Sequence, residues 1–261
     1  MIQKKTIQIE VCADSVSNAL IAQSAGAQRI EFCVNLPEGG TTPSPSQIFL
    51  ARRQLNISLF VLIRPRGGDF LYNDLEFESM QLDIHYCGKT GCDGVVIGML
   101  NPDGSIDKER CSELIQIARQ YQMGITFHRA FDRSADLFQA MEDCINLGCD
   151  RILTSGGYDT AIEGTDVIRR LIEKANGRII IMPGSGINPE NAGVLIQETG
   201  LLELHGTFRS RVSSKMLYRN GHLSHKEEEY GILQSDFEKI HDILHNSIKF
   251  AGKNLKKTGN P

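Results

Sequence analysis

Residues 124–153 read GITFHRAFDRSADLFQAMEDCINLGCDRIL, and this stretch contains one full repeat of the pattern that decides the fold. The apolar and β-branched run at 124–128 predicts a buried strand, the apolar spacing over 134–147 predicts an amphipathic helix, and 150–153 begins the next strand. Gly148 follows the helix at the position where a left-handed residue is preferred. A strand, a helix and a second strand in this order are the unit of a parallel α/β sheet.

The same strand–helix unit recurs along the first 205 residues. The predicted strands cover 6–12, 28–33, 57–63, 93–97, 124–128, 150–153, 178–182 and 201–205. Amphipathic segments between them predict helices at 14–25, 44–54, 74–90, 108–120, 134–147, 160–175 and 188–198. Successive strand ends are about 28 residues apart on average, which is the length of one unit with short loops.

The number of units selects between two α/β architectures. Eight units without a long internal linker favour a closed (β/α)8 TIM barrel over an open doubly wound sheet. The first strand–helix turn, CADSVS, also lacks the glycine-rich fingerprint of a dinucleotide-binding fold. We therefore predict a single-domain α/β protein with the barrel over residues 1–210. Residues 211–261 are predicted to form a short polar C-terminal extension that ends in a helix at 234–250.

Composition excludes several classes of protein. The 261 residues are 41% hydrophobic and 23% charged, which excludes wholesale disorder. The formal net charge is −4, so no basic surplus favours nucleic acid or an anionic membrane as a partner. We find no apolar run long enough to span a membrane and no signal-peptide core, and we expect a cytoplasmic protein. The seven dispersed cysteines are then expected to be free thiols.

Polar side chains are predicted to face the barrel lumen near the carboxyl ends of the strands. Side chains alternate along a strand, so the residues between the apolar ones point inward. The inward residues are Glu10, Cys12, Arg29, Glu31, Cys33, Thr126, His128, Glu203 and His205, and Arg64 ends the third strand. Buried charges are costly unless they are paired, so this set favours a ligand or metal site. A structural Glu–Arg network that closes the barrel mouth is the alternative interpretation.

Two cysteines form the most specific candidate metal site. Cys12 and Cys33 each end a strand, two residues after the inward-facing Glu10 and Glu31. The two strands are neighbours in a barrel, and strand eight brings His205 to the other side of Cys12. Two thiolates with a nearby imidazole suit Cu(I) better than Zn(II), which prefers four ligands in a compact motif. The alternative is that both cysteines are small buried hydrophobic residues.

Glycine-rich loops after strands seven and eight form a candidate anion site. In many barrels the main-chain N–H groups of these two loops bind phosphate, although a tight turn would also require glycine. Two arginines on the third loop, Arg64 and Arg66, are suited to a carboxylate or a phosphate. We predict ligand contacts from Arg66, Gly184, Ser185, Gly186, His205 and Gly206.

An enzyme is a further hypothesis. His128 and Asp132 combine an imidazole with a nearby acid, as general acid–base catalysis requires. The substrate would be a small anionic or phosphorylated molecule, and the reaction is left open. Under this hypothesis the catalytic residues are Glu10, Glu31, Arg64, His128 and Asp132.

Four longer motifs resemble those of the copper homeostasis protein CutC family. They are EVCADS at 10–15, RPRGGDFLY at 64–72, TFHRAFD at 126–132 and MPGSGI at 182–187, within a resemblance that spans about residues 7–220. The resemblance implies a (β/α)8 barrel, a cytoplasmic location and a homo-oligomer, with a dimer as the expected form. It also implies that the copper ion is a partner, bound as Cu(I) through the cysteines that match Cys12 and Cys33. Copper binding and catalysis on a small anion thus remain as two hypotheses.

Overall fold

The computed structural model describes residues 7–220, 222 and 230–254. Eight parallel strands form one sheet that curves into a nearly closed barrel. The strands are β1 (Gln8–Ala13), β2 (Arg29–Phe32), β3 (Ser58–Leu62), β4 (Gly94–Ile97), β5 (Gly124–Phe127), β6 (Arg151–Thr154), β7 (Ile180–Pro183) and β8 (Glu203–Gly206). Their order is β7-β6-β5-β4-β3-β2-β1-β8, so β7 and β8 meet at the seam. The prediction of a (β/α)8 TIM barrel is confirmed.

An α-helix follows each of the first seven strands. The helices are α1 (Val16–Ser24), α2 (Pro45–Gln54), α3 (Asp74–Thr90), α4 (Lys108–Gln120), α5 (Leu137–Leu147), α6 (Thr165–Ala175) and α7 (Ala192–Thr199). Capping boxes fix the start of two of them, with Ser44 and Gln47 at α2 and Asn73 and Glu76 at α3. In a capping box two otherwise unpaired N–H groups are satisfied by side chains, which defines where the helix begins.

Helices α6 and α7 begin four or five residues later than the apolar spacing predicts. The Thr160 hydroxyl accepts a hydrogen bond from the N–H of Glu163, and the Asn188 side chain accepts one from the N–H of Asn191. Such local side-chain bonds hold the backbone in turns that compete with a helix. The loops after β6 and β7 are consequently longer than predicted.

The chain after β8 forms a hairpin and a last helix. Strands β9 (Arg209–Ser213) and β10 (Gly231–Ser235) pair in antiparallel register, and α8 spans Phe237–Asn254. The Asn18 side chain of α1 accepts a hydrogen bond from the N–H of Ser235 at 3.1 Å, which attaches the hairpin to the barrel. Helix α8 packs against α7 and α1, the position of the eighth barrel helix. In the part of the chain that the structure describes, no helix is long and apolar enough to cross a membrane.

The main hydrophobic core lies between the strands and the surrounding helices. Ile9 and Val11 of β1 and Ile30 and Phe32 of β2 are fully buried in it. These are the residues that the alternation of side chains assigned to the helix-facing side. Glu10 and Arg29 alternate with these residues along β1 and β2, so their side chains lie in the lumen.

A buried ionic network fills the centre of the lumen. The Arg29 guanidinium donates to the carboxylates of Glu10 and Glu203, and Arg151 Nε donates to Glu203 at 3.2 Å. The guanidinium carbons of Arg29 and Arg151 lie 5.2 Å and 5.1 Å from the centre of the Phe60 ring. The sequence left a structural Glu–Arg network and a ligand or metal site as alternative interpretations, and the structure contains a buried Glu–Arg network in the lumen.

Two glycines make room for this network. A Cβ atom added at Gly94 would lie 2.2 Å from the Phe60 ring, and one added at Gly124 would lie 2.8 Å from it. The ring can therefore cross the lumen only because the two neighbouring strands carry no side chain there. Its face then contacts both arginines, as cation–π pairing favours.

Replacement of Arg29 tests how much of the stability depends on this network. The variant Arg29→Met leaves the buried Glu10 and Glu203 without their main counter-ion. Breaking a buried pair in this way costs about 3–5 kcal/mol, because an uncompensated charge remains in a low-dielectric site. We expect a loss of that size in the free energy of unfolding, measured by urea denaturation at neutral pH.

The matched control is Arg169→Met, since Arg169 forms an exposed ion pair with Asp166 on α6. Exposed ion pairs contribute little to stability, so this variant should unfold like the wild type. Equal stability of the Arg29 and Arg169 variants would contradict the role assigned to the network.

Candidate functional site

The carboxyl ends of the strands surround a cavity of about 270 Å³. Its location is the face where TIM barrels carry their sites. One wall consists of side chains from β1, β2 and β8, and the other consists of loop residues and main chain. The lining includes Cys12, Glu31 and His205 on the first wall and Arg64, Phe70, His128, Arg129, Ser185, Gly186, Gly206 and Thr207 on the second.

The two predicted metal ligands lie side by side. Cys12 pairs in register with Glu31, so Cys33 lies two residues beyond the partner of Cys12. The sulfur atoms of Cys12 and Cys33 are nevertheless only 3.5 Å apart. Both thiols are buried in an apolar cluster that includes Leu62 and Phe60. Cys12 lines the cavity, whereas Cys33 lies beside Gly40 and outside the lining. The hydrogen bond with Cys33 and burial raise the pKa of Cys12 well above the ordinary value, so Cys12 is a neutral thiol here.

A second set of potential ligands includes Cys12 but not Cys33. One ligand atom from each of Cys12, Glu31 and His205 lies within 4.8 Å of the others. The Cys12 thiol donates to Glu31 Oε1 at 3.6 Å, and His205 Nδ1 lies 3.9 Å from Glu31 Oε2. That Oε2 atom is buried and has no hydrogen-bond partner in the described chain. Strand parity predicted that these residues share one mouth and that the His205 imidazole lies beside Cys12, but Glu31 was not predicted to be a metal ligand.

The two glutamates near the thiols carry opposite pKa shifts. Burial raises the pKa of Glu31 to about 7. Burial would also raise the pKa of Glu10, but the charge of Arg29 and the hydrogen bond with His205 outweigh it and lower that pKa to about 2. His205 Nδ1 lies 2.7 Å from Glu10 Oε1. Although burial opposes its charged form, the charge of Glu31 and the hydrogen bond with Glu10 raise the pKa of His205.

Glu10 is fully buried beneath the cavity rather than exposed to it. It contacts Arg29 with one carboxylate oxygen and His205 with the other. This position suits a residue that orients His205, and the structure gives Glu10 no contact with the cavity. Glu31, by contrast, lines the cavity.

Arg64 lines the cavity from the β3 side and is only 4% exposed. Its guanidinium donates to the carbonyl oxygens of Glu38, Gly40 and Gly68, each at 2.8 Å. The Nε atom is buried and has no acceptor among the described residues. Arg66, which was predicted to bind the same ligand, lies outside the cavity lining and pairs with Asp69 and Glu76.

His128 is buried against Phe70, with the ring centres 4.9 Å apart. Its Nδ1 atom accepts from the N–H of Ala130 at 3.1 Å, and its buried Nε2 has no partner in the part of the chain described. Burial and the charge of Arg64 lower the pKa of His128 to about 3, so the imidazole is neutral at pH 7. Gly98 directly follows β4, and a Cβ atom there would lie 2.5 Å from the His128 ring. The position therefore requires glycine.

Asp132 stabilises the loop after β6 and is not hydrogen-bonded to His128. Its carboxylate accepts from the main-chain N–H groups of Ser155 and Gly157 and from Arg129 Nε. It also accepts from the Thr154 hydroxyl. These bonds occupy the carboxylate, so the predicted imidazole–acid pair of His128 and Asp132 is not assembled in this structure.

The glycine-rich loops supply fewer free donors than the motif suggests. The N–H of Gly184 donates to the carbonyl of Thr154 at 3.0 Å, and Gly206 belongs to the ladder between β8 and β1. The N–H groups of Ser185 and Gly186 have no acceptor among the described residues. Thr207, which follows Gly206, also lines the cavity with an unpaired N–H.

Phe70 and Arg29 are two residues whose roles the sequence did not reveal. Phe70 covers the cavity and contacts both Arg64 and His128. The only sequence signal for it is its place in the glycine-rich RPRGGDFLY motif. The alternation of side chains predicted that Arg29 faces the lumen. It did not predict the partners of Arg29, because Glu10 of β1 and Glu203 of β8 are far apart in the chain.

The low pKa of His128 predicts a specific acid sensitivity. In the unfolded chain the imidazole takes up a proton below its ordinary pKa of 6.5, whereas in the folded protein it does so only near 3. The unfolded state therefore binds more protons in this window, and stability falls as the pH decreases from about 6.5 towards 3. The free energy of unfolding of the wild type should fall between pH 7 and pH 5. In His128→Gln we expect this fall to be smaller by about 1–2 kcal/mol. The measurement is urea denaturation at both pH values.

The exposed His241 provides a control, since His241→Gln should retain the pH dependence of the wild type. An unchanged dependence in His128→Gln would show that the imidazole titrates normally in the folded protein.

Comparisons with known proteins agree with the motifs. The model of the CutC family matches residues 7–210. A CutC family protein of Chromobacterium violaceum is 47% identical over 213 residues, which cover 82% of this chain and 85% of the relative. The human copper homeostasis protein cutC homolog is 44% identical over 239 residues, or 90% of this chain and 87% of the relative.

A solved structure gives the same result. The crystal structure of the CutC protein of Streptococcus agalactiae superposes with a TM-score of 0.74 at 38% identity, covering 77% of this chain and 99% of that one. The sequence motifs, the barrel and these relatives are consistent with one another. This chain belongs to the CutC family.

Proposed function

We propose that this protein binds Cu(I) at the mouth of its barrel through Cys12 and Cys33 and that it acts in copper homeostasis. The observation that carries the proposal is the 3.5 Å separation of the two sulfur atoms beside an open cavity. Relatives in human and mouse bear the name copper homeostasis protein cutC homolog, which supports copper as the metal.

The chemistry of the thiol pair favours a soft ion. Thiolate sulfur is a soft ligand, and a pair of thiolates suits Cu(I), whereas Zn(II) prefers four ligands. Both thiols lie among apolar side chains, and binding must displace their protons because the thiolate is the ligand form. The neighbouring His205, whose pKa is raised, can offset the negative charge that two thiolates and one Cu(I) carry together.

The set of Cys12, Glu31 and His205 suits a different metal. It offers one sulfur, one nitrogen and one oxygen, a combination that Zn(II) accepts more readily than Cu(I). Cys12 belongs to both sets, so the two modes of binding exclude one another. Cys33 and Glu31 are therefore the residues that distinguish them.

The state of the cysteines is consistent with a reducing compartment. All seven are free and buried. Free thiols persist where glutathione and thioredoxin keep them reduced, as in the cytoplasm. The proposal accordingly includes a cytoplasmic location, and it retains the dimer that the family resemblance implies.

Anaerobic titration with Cu(I) under a competing chelator tests the proposal. Loss of a group that only hydrogen-bonds to a metal ligand lowers affinity by about 10- to 100-fold, so loss of a sulfur ligand should lower it by more than about 100-fold. We expect losses of that size in Cys12→Ser and in Cys33→Ser. Cys111→Ser, which changes another fully buried thiol, serves as the control and should bind Cu(I) like the wild type.

A second pair of variants distinguishes the two ligand sets. If the thiol pair is the site, Glu31→Gln should change Cu(I) affinity far less than Cys33→Ser does. The reverse order, with Cys33→Ser harmless and Glu31→Gln damaging, would assign the metal to the Cys12, Glu31 and His205 set. Wild-type affinity in both cysteine variants would refute copper binding at the barrel mouth.

A further inference from the structure

Arg64 is a buried cation without a carboxylate partner. None of the ion pairs within the described residues includes it; its guanidinium donates to main-chain carbonyl oxygens, lies over the Phe70 ring and interacts with the neutral Tyr72 hydroxyl. A buried charge is normally compensated by an opposite charge, because transfer from water into a low-dielectric site is unfavourable. The unpaired Nε of Arg64 and its place in the cavity lining indicate that the compensating charge belongs to a ligand.

His128 presents a second unsatisfied group to the same cavity. Its Nε2 atom is buried without a partner, and Phe70 packs against both His128 and Arg64. Because Nδ1 accepts a hydrogen bond from Ala130, the neutral imidazole carries its proton on Nε2. This part of the cavity therefore offers two donors and is suited to a carbonyl or carboxylate oxygen.

The opposite end of the cavity presents main-chain donors. The N–H groups of Ser185, Gly186 and Thr207 have no acceptor among the residues that the structure describes. Ser185 and Gly186 have φ values of 86° and 70°, and a positive φ is unusual for serine. The loop is held in this conformation, since the Ser185 hydroxyl donates to the carbonyl of Asp159 at 2.7 Å.

A fixed group of N–H donors is a good receptor for a phosphate. Successive N–H groups in a turn form an anion-binding concavity, and no change in the loop is needed to present them. Three donors from two loops match the several oxygen atoms of a phosphate better than the two oxygen atoms of a carboxylate. The carboxylate-binding features lie at the other end, near Arg64 and His128.

We propose that the cavity binds a small phosphorylated molecule that carries a second oxygen group, a carbonyl or a carboxylate. The phosphate would bind the N–H groups of Ser185, Gly186 and Thr207, and the second group would bind Arg64 and His128. A cavity of about 270 Å³ restricts the ligand to a small metabolite. This inference does not rest on copper binding, because none of these five residues belongs to either metal set.

The test uses metal-free protein and three probes: phosphoglycolate, which carries both groups, inorganic phosphate and glycolate. Calorimetry should give about tenfold tighter binding for phosphoglycolate than for phosphate, and weaker binding for glycolate than for phosphoglycolate. In ¹⁵N spectra the amide signals of Ser185, Gly186 and Thr207 should shift with saturation. Sodium chloride at the same ionic strength should not reproduce these shifts. Absence of saturable shifts at these amides would overturn the proposal.

Two variants test the two ends of the cavity. Thr207→Glu introduces a carboxylate at the phosphate end and should weaken phosphoglycolate by at least about tenfold. The control Val194→Glu adds the same charge on the exposed side of α7, where it should have no effect. Arg64→Met should reduce phosphoglycolate affinity to that of phosphate, and His128→Phe should act in the same direction if the arginine variant does not fold. Full affinity in Thr207→Glu would refute the phosphate end.

Because the binding assays contain no metal, their failure would leave the copper proposal intact. Conversely, loss of copper binding in the cysteine variants would not affect the anion result. The two proposals can therefore be rejected separately.

Discussion

Arg29 lies buried in the barrel lumen, where its guanidinium binds the carboxylates of Glu10 and Glu203. The other oxygen of Glu10 contacts His205, so this interaction orients the imidazole at the cavity wall. Without the arginine, the buried Glu10 carboxylate would lose its main counter-ion and the nearby charge that most lowers its pKa. The polar mouth of the barrel thus depends on an ionic layer beneath it whose residues do not line the cavity.

The cavity above this layer has two chemically different walls. One wall carries a thiol, a carboxyl group and an imidazole, which are metal ligands. The other carries Arg64, the Nε2 atom of His128 and unpaired main-chain N–H groups, which are anion ligands. The two groups of residues are therefore suited to different ligands, a metal ion and a small anion. The fold alone does not select between metal binding and anion binding.

Local sequence was enough to predict most of the barrel. Strand parity assigned Ile9 and Val11 to the helix side and Glu10 and Cys12 to the lumen, because side chains alternate strictly along a strand. The β9–β10 hairpin was not predicted. The largest errors in helix starts follow β6 and β7, where the Thr160 and Asn188 side chains accept hydrogen bonds from main-chain N–H groups that replace the first helical turn. Such bonds are difficult to recognise in a sequence because the same residue types also cap helices.

For the site, the sequence by itself determined which strand side chains face the lumen and at which strand ends they lie. Tertiary structure decided which of them are free to act. Asp132 is occupied by the loop after β6, and Arg66 by Asp69 and Glu76, whereas Arg64 keeps an unpaired donor. The physical reason is that each partner is brought in by strand register and by loop conformation, often from more than twenty residues away. These contacts cannot be predicted directly from the order of residue types along the chain.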